Sequence, residues 1–136
     1  MKKGLVILIF LFSFLYGDDN YQLKLYEKII PTIFQQQNLF VYTDESSKNL
    51  IQKSEIFQLS SNCRDATLLI GDDFSQLDTQ CLNKPVFSIS YRGFKNSPNS
   101  FGAFYWRKGR PQIKFKLDII KKFNLYLPLN MLKYAQ

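Results

Sequence analysis

Histidine is absent from this sequence, and only two cysteines, one tryptophan and six glycines occur among its 136 residues. Without histidine a Ser-His triad is impossible, and the commonest general acid–base group and metal ligand is missing. Cys63 and Cys81 form neither a C-x-x-C redox pair nor a zinc set. There is no G-x-S-x-G elbow and no glycine-rich loop to cradle a phosphate. Asp72 and Asp73 are adjacent, so they point differently and make a poor acid–base pair. These absences predict a protein that is not an enzyme and that needs no cofactor.

Acids are scarce in one half of the chain. Residues 82–136 hold eleven bases and a single acid, Asp118, for a net of +10. Residues 18–81 hold five bases and ten acids, for a net of −5. Blocks of unlike sign can steer partners.

The first residues, MKKGLVILIFLFSFLYGDDN, have the form of a secretory signal. Lys2 and Lys3 are the basic start, Leu5 to Leu15 the apolar stretch, and Asp18–Asp19 the break. Residues 1–17 are therefore expected to be a cleaved signal peptide, and residues 18–136 a single α/β domain in the periplasm. The apolar stretch is shorter than the roughly 20 residues of a spanning helix; an uncleaved anchor is the alternative. An exported protein rarely meets nucleic acid, so no nucleic-acid partner is expected. An acidic protein, or peripheral contact with an anionic membrane surface, suits the basic half better. A solvated basic face without a partner is the plainer alternative.

Apolar residues at Leu23, Tyr26, Ile30, Ile33 and Phe34 have helical spacing. They predict a helix over Tyr21–Phe34, capped by Asn20 and kinked or restarted at Pro31. Strands are expected at Leu39–Thr43, Glu55–Leu59, Ala66–Ile70 and Pro85–Tyr91. Helices are expected at Asp44–Lys53, with Thr43 or Asp44 as cap, and at Asp72–Cys81. Ile113, Phe115 and Leu117 alternate with Gln112, Lys114 and Lys116, the period of a strand with one wet face. Its partner is Gly102–Arg107, joined through a turn at Lys108–Pro111. Asp118 is placed to cap a helix Ile119–Asn124, and Pro128 to open a last helical turn that packs Leu129 and Leu132. Strands alternating with helices imply βαβ units. The expected fold is a small Rossmann-like three-layer α/β arrangement. It has a mostly parallel sheet, a C-terminal hairpin and two short terminal helices.

Three groups of residues are candidates for function. Cys63 precedes one strand and Cys81 ends the helix that returns from it, so both fall at one end of the sheet. An oxidising compartment then favours a disulfide over two free thiols. Asp44, Asp72, Asp73 and Ser90 fall at the carboxyl ends of strands, where open α/β sheets bind ligands; as helix caps they would be merely structural. The basic and aromatic set Arg92, Lys95, Trp106, Arg107, Lys108 and Arg110, with Tyr91 and Tyr105 among them, has the composition of a binding hot spot. Lys114 and Lys116 are expected on the same wet face.

The second half also resembles the YfiR-like family of periplasmic regulatory proteins. Cys63–Gly71 (CRDATLLIG) is similar to that family's block of a cysteine, an acid and an apolar strand. Pro85–Tyr91 resembles its next strand, Phe101–Phe104 its glycine-containing segment, and Gly109–Asp118 its Gly-Arg, apolar block. Asn124–Ala135 (NLYLPLNMLKYA) resembles its closing signature. Gly102 stands where the family tends to have a glycine pair, Asp118 where it has Asn, and Cys81 has no counterpart. The resemblance covers about residues 63–135. It implies a small α/β fold and a role restraining an inner-membrane signalling protein such as a diguanylate cyclase or sensor kinase. A periplasmic small-ligand binding protein using the carboxyl edge of the sheet is the alternative.

Overall fold

The computed structural model describes residues 20–74 and 77–136; the expected signal peptide, residues 1–17, lies outside them. Six strands make one sheet in the order β2-β1-β3-β4-β5-β6. They are β1 Leu39–Thr43, β2 Phe57–Leu59, β3 Leu68–Ile70, β4 Val86–Ser88, β5 Ser100–Arg107 and β6 Arg110–Phe115. The first five are mutually parallel, and β6 runs antiparallel to β5. The protein is thus α/β with a mostly parallel sheet and a C-terminal hairpin, as the alternation of patterns predicts.

The main core lies on one face. Helix α1 runs from residue 20, the first described there, to residue 34. It buries Leu23, Tyr26, Ile29, Ile30 and Ile33 against Leu39, Val41, Leu68, Ile70 and Phe87 of the sheet. Each such side chain contributes about 1.5–3 kcal/mol on burial. Helix α2, Glu45–Gln52, adds Ile51 to this core, and α4, Leu117–Lys122, adds Ile120. Phe101 joins the same core through an irregularity in the β4–β5 pairing, where Val86 faces Ser100 but Phe87 faces Gly102. The extra residue, Phe101, meets Phe34 and Phe87 ring to ring at 5.5 and 5.6 Å. The opposite face is covered more thinly. Helix α3, Tyr91–Asn96, packs Phe94 on Ala103 and Tyr105, while Cys63, Cys81, Phe74 and Leu77 cover Leu69 and Val86.

Several boundaries differ from expectation, each for a local reason. The helical run passes through Pro31 without a second helix starting there, and Asn20 is already helical rather than a cap. Strand β2 starts late because the Ser54 hydroxyl accepts the N–H groups of Ile56 and Phe57. No helix forms over Asp72–Cys81 among the described residues. The described stretch closes instead as isolated turns on the Phe74 and Asp78 carbonyls. Strand β4 stops at Ser88, and Ser90 caps α3. Helix α4 starts at Leu117 with Lys116 in the cap position, so Asp118 lies in its first turn. The closing segment is a 3-10 helix, Leu129–Tyr134, and leaves Leu129 83% exposed rather than packed.

The hairpin turn is tighter than the four residues predicted. Arg107 pairs directly with Arg110, leaving Lys108 and Gly109 as the loop with φ of 51° and 76°. Two positive φ values define the turn whose twist matches paired strands, and glycine adopts the second without strain. Pro111 then sits on an edge strand, where a missing N–H is tolerated.

Candidate functional site

The order β2-β1-β3-β4-β5 places a reversal of direction between β1 and β3, the position where such sheets take ligands at the carboxyl ends. Here the crevice holds one of the protein's own carboxylates. Asp44 caps α2 through the Ser47 N–H at 3.0 Å. Its second oxygen accepts the N–H groups of Asp72 at 2.8 Å and Asp73 at 3.1 Å, and the Ser46 hydroxyl adds a bond at 3.2 Å. Burial pushes the Asp44 carboxyl up, but these donors outweigh it and hold it below the usual carboxylate range. Gly71 is required for this approach: a Cβ there would lie 2.5 Å from the Asp44 carboxyl, and its φ is +142°.

The next strand repeats the device. Asp72 Oδ1 accepts the Ile89 N–H at 2.9 Å, and Ser90 accepts the Gly93 N–H at 3.0 Å. Asp44 and Asp72 therefore stitch the ends of β1, β3 and β4 in sequence. The cap role of Asp44 and Ser90 is thus fulfilled, and it does not exhaust the edge. Asp72, Asp73, Ser90 and Arg92 line a cavity of about 710 Å³ whose apolar part is Leu69, Phe74, Leu82 and Val86. Its far wall is residues 96–99, which the sequence did not flag. Asn99 is buried there and held by Lys122 Nζ at 2.7 Å, a long-range contact with no local signature.

The basic candidates divide between surfaces. Trp106 and Arg107 line a neighbouring groove of about 610 Å³, which shares Ser90 with that cavity, together with Ile89, Tyr91, Tyr105 and Lys114. Lys114 Nζ stands 5.3 Å from the centre of the Tyr91 ring, and Tyr91 lies 6.0 Å from Tyr105. Trp106 is 39% exposed and rests on Phe104 and on Tyr21 of α1. Arg92 belongs to the other cavity, and Lys95, Lys108 and Arg110 line neither. Lys116 is not on the wet face. It is half-buried, its Nζ donates to the carbonyls of Phe94 and Ser97, and burial pushes its pKa down.

Cys63 and Cys81 are bonded, with Cα atoms 5.7 Å apart. The bond ties the loops that lead into β3 and β4, the end of the sheet expected from the sequence. Among the described residues, no three Cys, Asp or Glu side chains gather as a metal-holding group. No family model matches the chain, and no curated protein matches it.

Proposed function

We propose that the protein is an exported, non-enzymatic regulatory or adaptor protein of YfiR-like type. It binds the periplasmic part of an inner-membrane signalling protein, such as a diguanylate cyclase or sensor kinase, through its basic C-terminal surface. The observation that carries this reading is the groove between Tyr91 and Trp106. Two cations, Arg107 and Lys114, stand there beside the Tyr91 and Tyr105 rings, in a half of the chain with only one acid. Aromatic and arginine side chains around a concavity are the usual anchors of an interface. An acidic segment fits this groove, with aromatic contact along its length and carboxylates at the cations. The leader-like start and the motifs of residues 63–135 add the compartment and the regulatory role.

The charge-reversed pair Arg107→Glu and Lys114→Glu is expected to abolish co-purification with the membrane partner. Stability should stay within about 1 kcal/mol of the wild type, because Arg107 is exposed and Lys114 is only partly buried. Undiminished co-purification would reject the groove as the interface.

The 710 Å³ cavity favours a second reading, a periplasmic small-ligand binding protein. An apolar floor with Asp72, Asp73 and Arg92 at the rim suits a small molecule with an apolar body and a polar head. At a hundredfold excess over Kd such a ligand stabilises the fold by about 2.7 kcal/mol, a clear rise in Tm. A screen of anions, metal ions and metabolites that leaves Tm unmoved would reject this reading.

A further inference from the structure

The C-terminal segment carries an apolar surface that the rest of the fold does not cover. Leu129 is 83% exposed, Tyr126 48%, Leu132 41% and Tyr134 40%. In a 3-10 helix, side chains three apart eclipse one another. Leu129 and Leu132 therefore stand in one row facing outward, while Met131 turns inward onto the main core. The segment is held firmly at both ends. The Tyr126 N–H donates to the Ile33 carbonyl at 3.0 Å, and the Gln136 N–H to the Phe115 carbonyl at 2.8 Å. It is a fixed knob with leucines at its tip.

Positive charge flanks the knob along the chain. Lys121 closes α4 just before it, next to Lys122, whose Nζ is held by Asn99, and Lys133 lies within it, its Nζ 5.2 Å from the Tyr134 ring centre. The one acid among residues 82–136 is Asp118. We propose that this knob docks on the surface of an anionic phospholipid bilayer, with Leu129 and Leu132 entering the interface and the lysines meeting headgroups. Exposed leucines flanked by lysine and tyrosine are the composition of an interfacial anchor. A second copy of the chain is a poorer occupant, because an isologous contact sets Lys121 and Lys133 against their own kind. The contact is superficial: no described helix is long and apolar enough to cross a membrane.

The knob and the groove lie at opposite ends of the sheet. Phe115, beside the knob, pairs with Gly102 near the start of β5, whereas Trp106 and Arg107 end that strand. A protein docked by the knob keeps its groove turned away from the lipid, open to an exported domain.

Amide hydrogen exchange of the full chain tests this, because the readout localises to the knob however the N-terminus behaves. Vesicles of phosphatidylglycerol and phosphatidylcholine should slow exchange across residues 126–135. The lipid concentration for half-protection should rise at least about tenfold in Leu129→Glu and about fivefold in Lys133→Gln. Vesicles of phosphatidylcholine alone should protect far less. Unchanged exchange in the β1 and β3 amides, without lipid, verifies that the variants are folded. The proposal is overturned if anionic vesicles leave residues 126–135 unprotected, or if neutral vesicles protect them equally. It is also overturned if protection appears without lipid and grows with protein concentration, which would identify a second copy as the occupant.

Discussion

Asp44→Ala is expected to destabilise the protein by about 3 kcal/mol, although the side chain lies at the edge of the sheet. Loss of the cap of α2 accounts for about 1 kcal/mol. The rest comes from the N–H groups of Asp72 and Asp73, which lose a carboxylate acceptor worth about 1.5–3 kcal/mol per bond before water replaces part of it. The N–H donors hold the Asp44 carboxyl below its ordinary value, against the upward push of burial. A depressed folded pKa means that stability is fully present above the unfolded value, near 3.9, and is lost as pH falls through the folded one. Urea unfolding of wild type and Asp44→Asn should therefore show a gap at pH 7 that narrows as pH drops below about 4. A gap that persists undiminished in acid would mean that shape, not charge, holds the clasp.

The second large effect concerns the disulfide. Replacing Cys63 and Cys81 together with alanine is expected to cost about 3 kcal/mol, given the 18-residue separation of the bonded pair. For a chain of this size that lowers Tm by on the order of 10 °C. Reductant should produce the same fall in the wild type and none in the double variant, and the mass should rise by two hydrogen atoms on reduction. A wild-type Tm indifferent to reductant would show that the bond contributes nothing. The bond also braces Phe74 and Leu77 against Leu69 and Val86, so its loss opens the 710 Å³ cavity. It leaves the Trp106 groove intact, because no residue of the bonded loops lines that groove. A ligand-binding function should therefore weaken with reductant while an interaction through Arg107 and Lys114 should not.

Particular residues show how far local pattern reaches. The helical spacing of Leu23, Tyr26, Ile30, Ile33 and Phe34 marks a buried face; the first four are buried and Phe34 is partly buried against the core. Alternation through Ile113 and Phe115 marks β6, and the isolated run around Leu68–Ile70 marks a central strand. Such periodicities are properties of neighbouring residues, so they are visible without the fold. Asp72–Cys81 misleads because Phe74 and Leu77, spaced like one face of a helix, sit in turns that pack on Leu69 and Val86 beside the disulfide. Lys116 misleads because its alternation places it on a wet face that α3 then covers, with the Phe94 and Ser97 carbonyls as partners.

The same division runs through the candidate sites. By itself the sequence determined the α/β class, the mostly parallel sheet and the polarity of charge, and made a Cys63–Cys81 bond the expectation, because each follows from composition or short-range spacing. Only the tertiary structure decided which charges serve a site. It turned Asp44 into an internal clasp, separated Arg92 from Arg107 into different cavities, and left Leu129 at the tip of a basic knob. Those outcomes depend on contacts between distant segments, and a side chain's role there is set by whichever donor, carbonyl or ring the fold brings within a few ångströms.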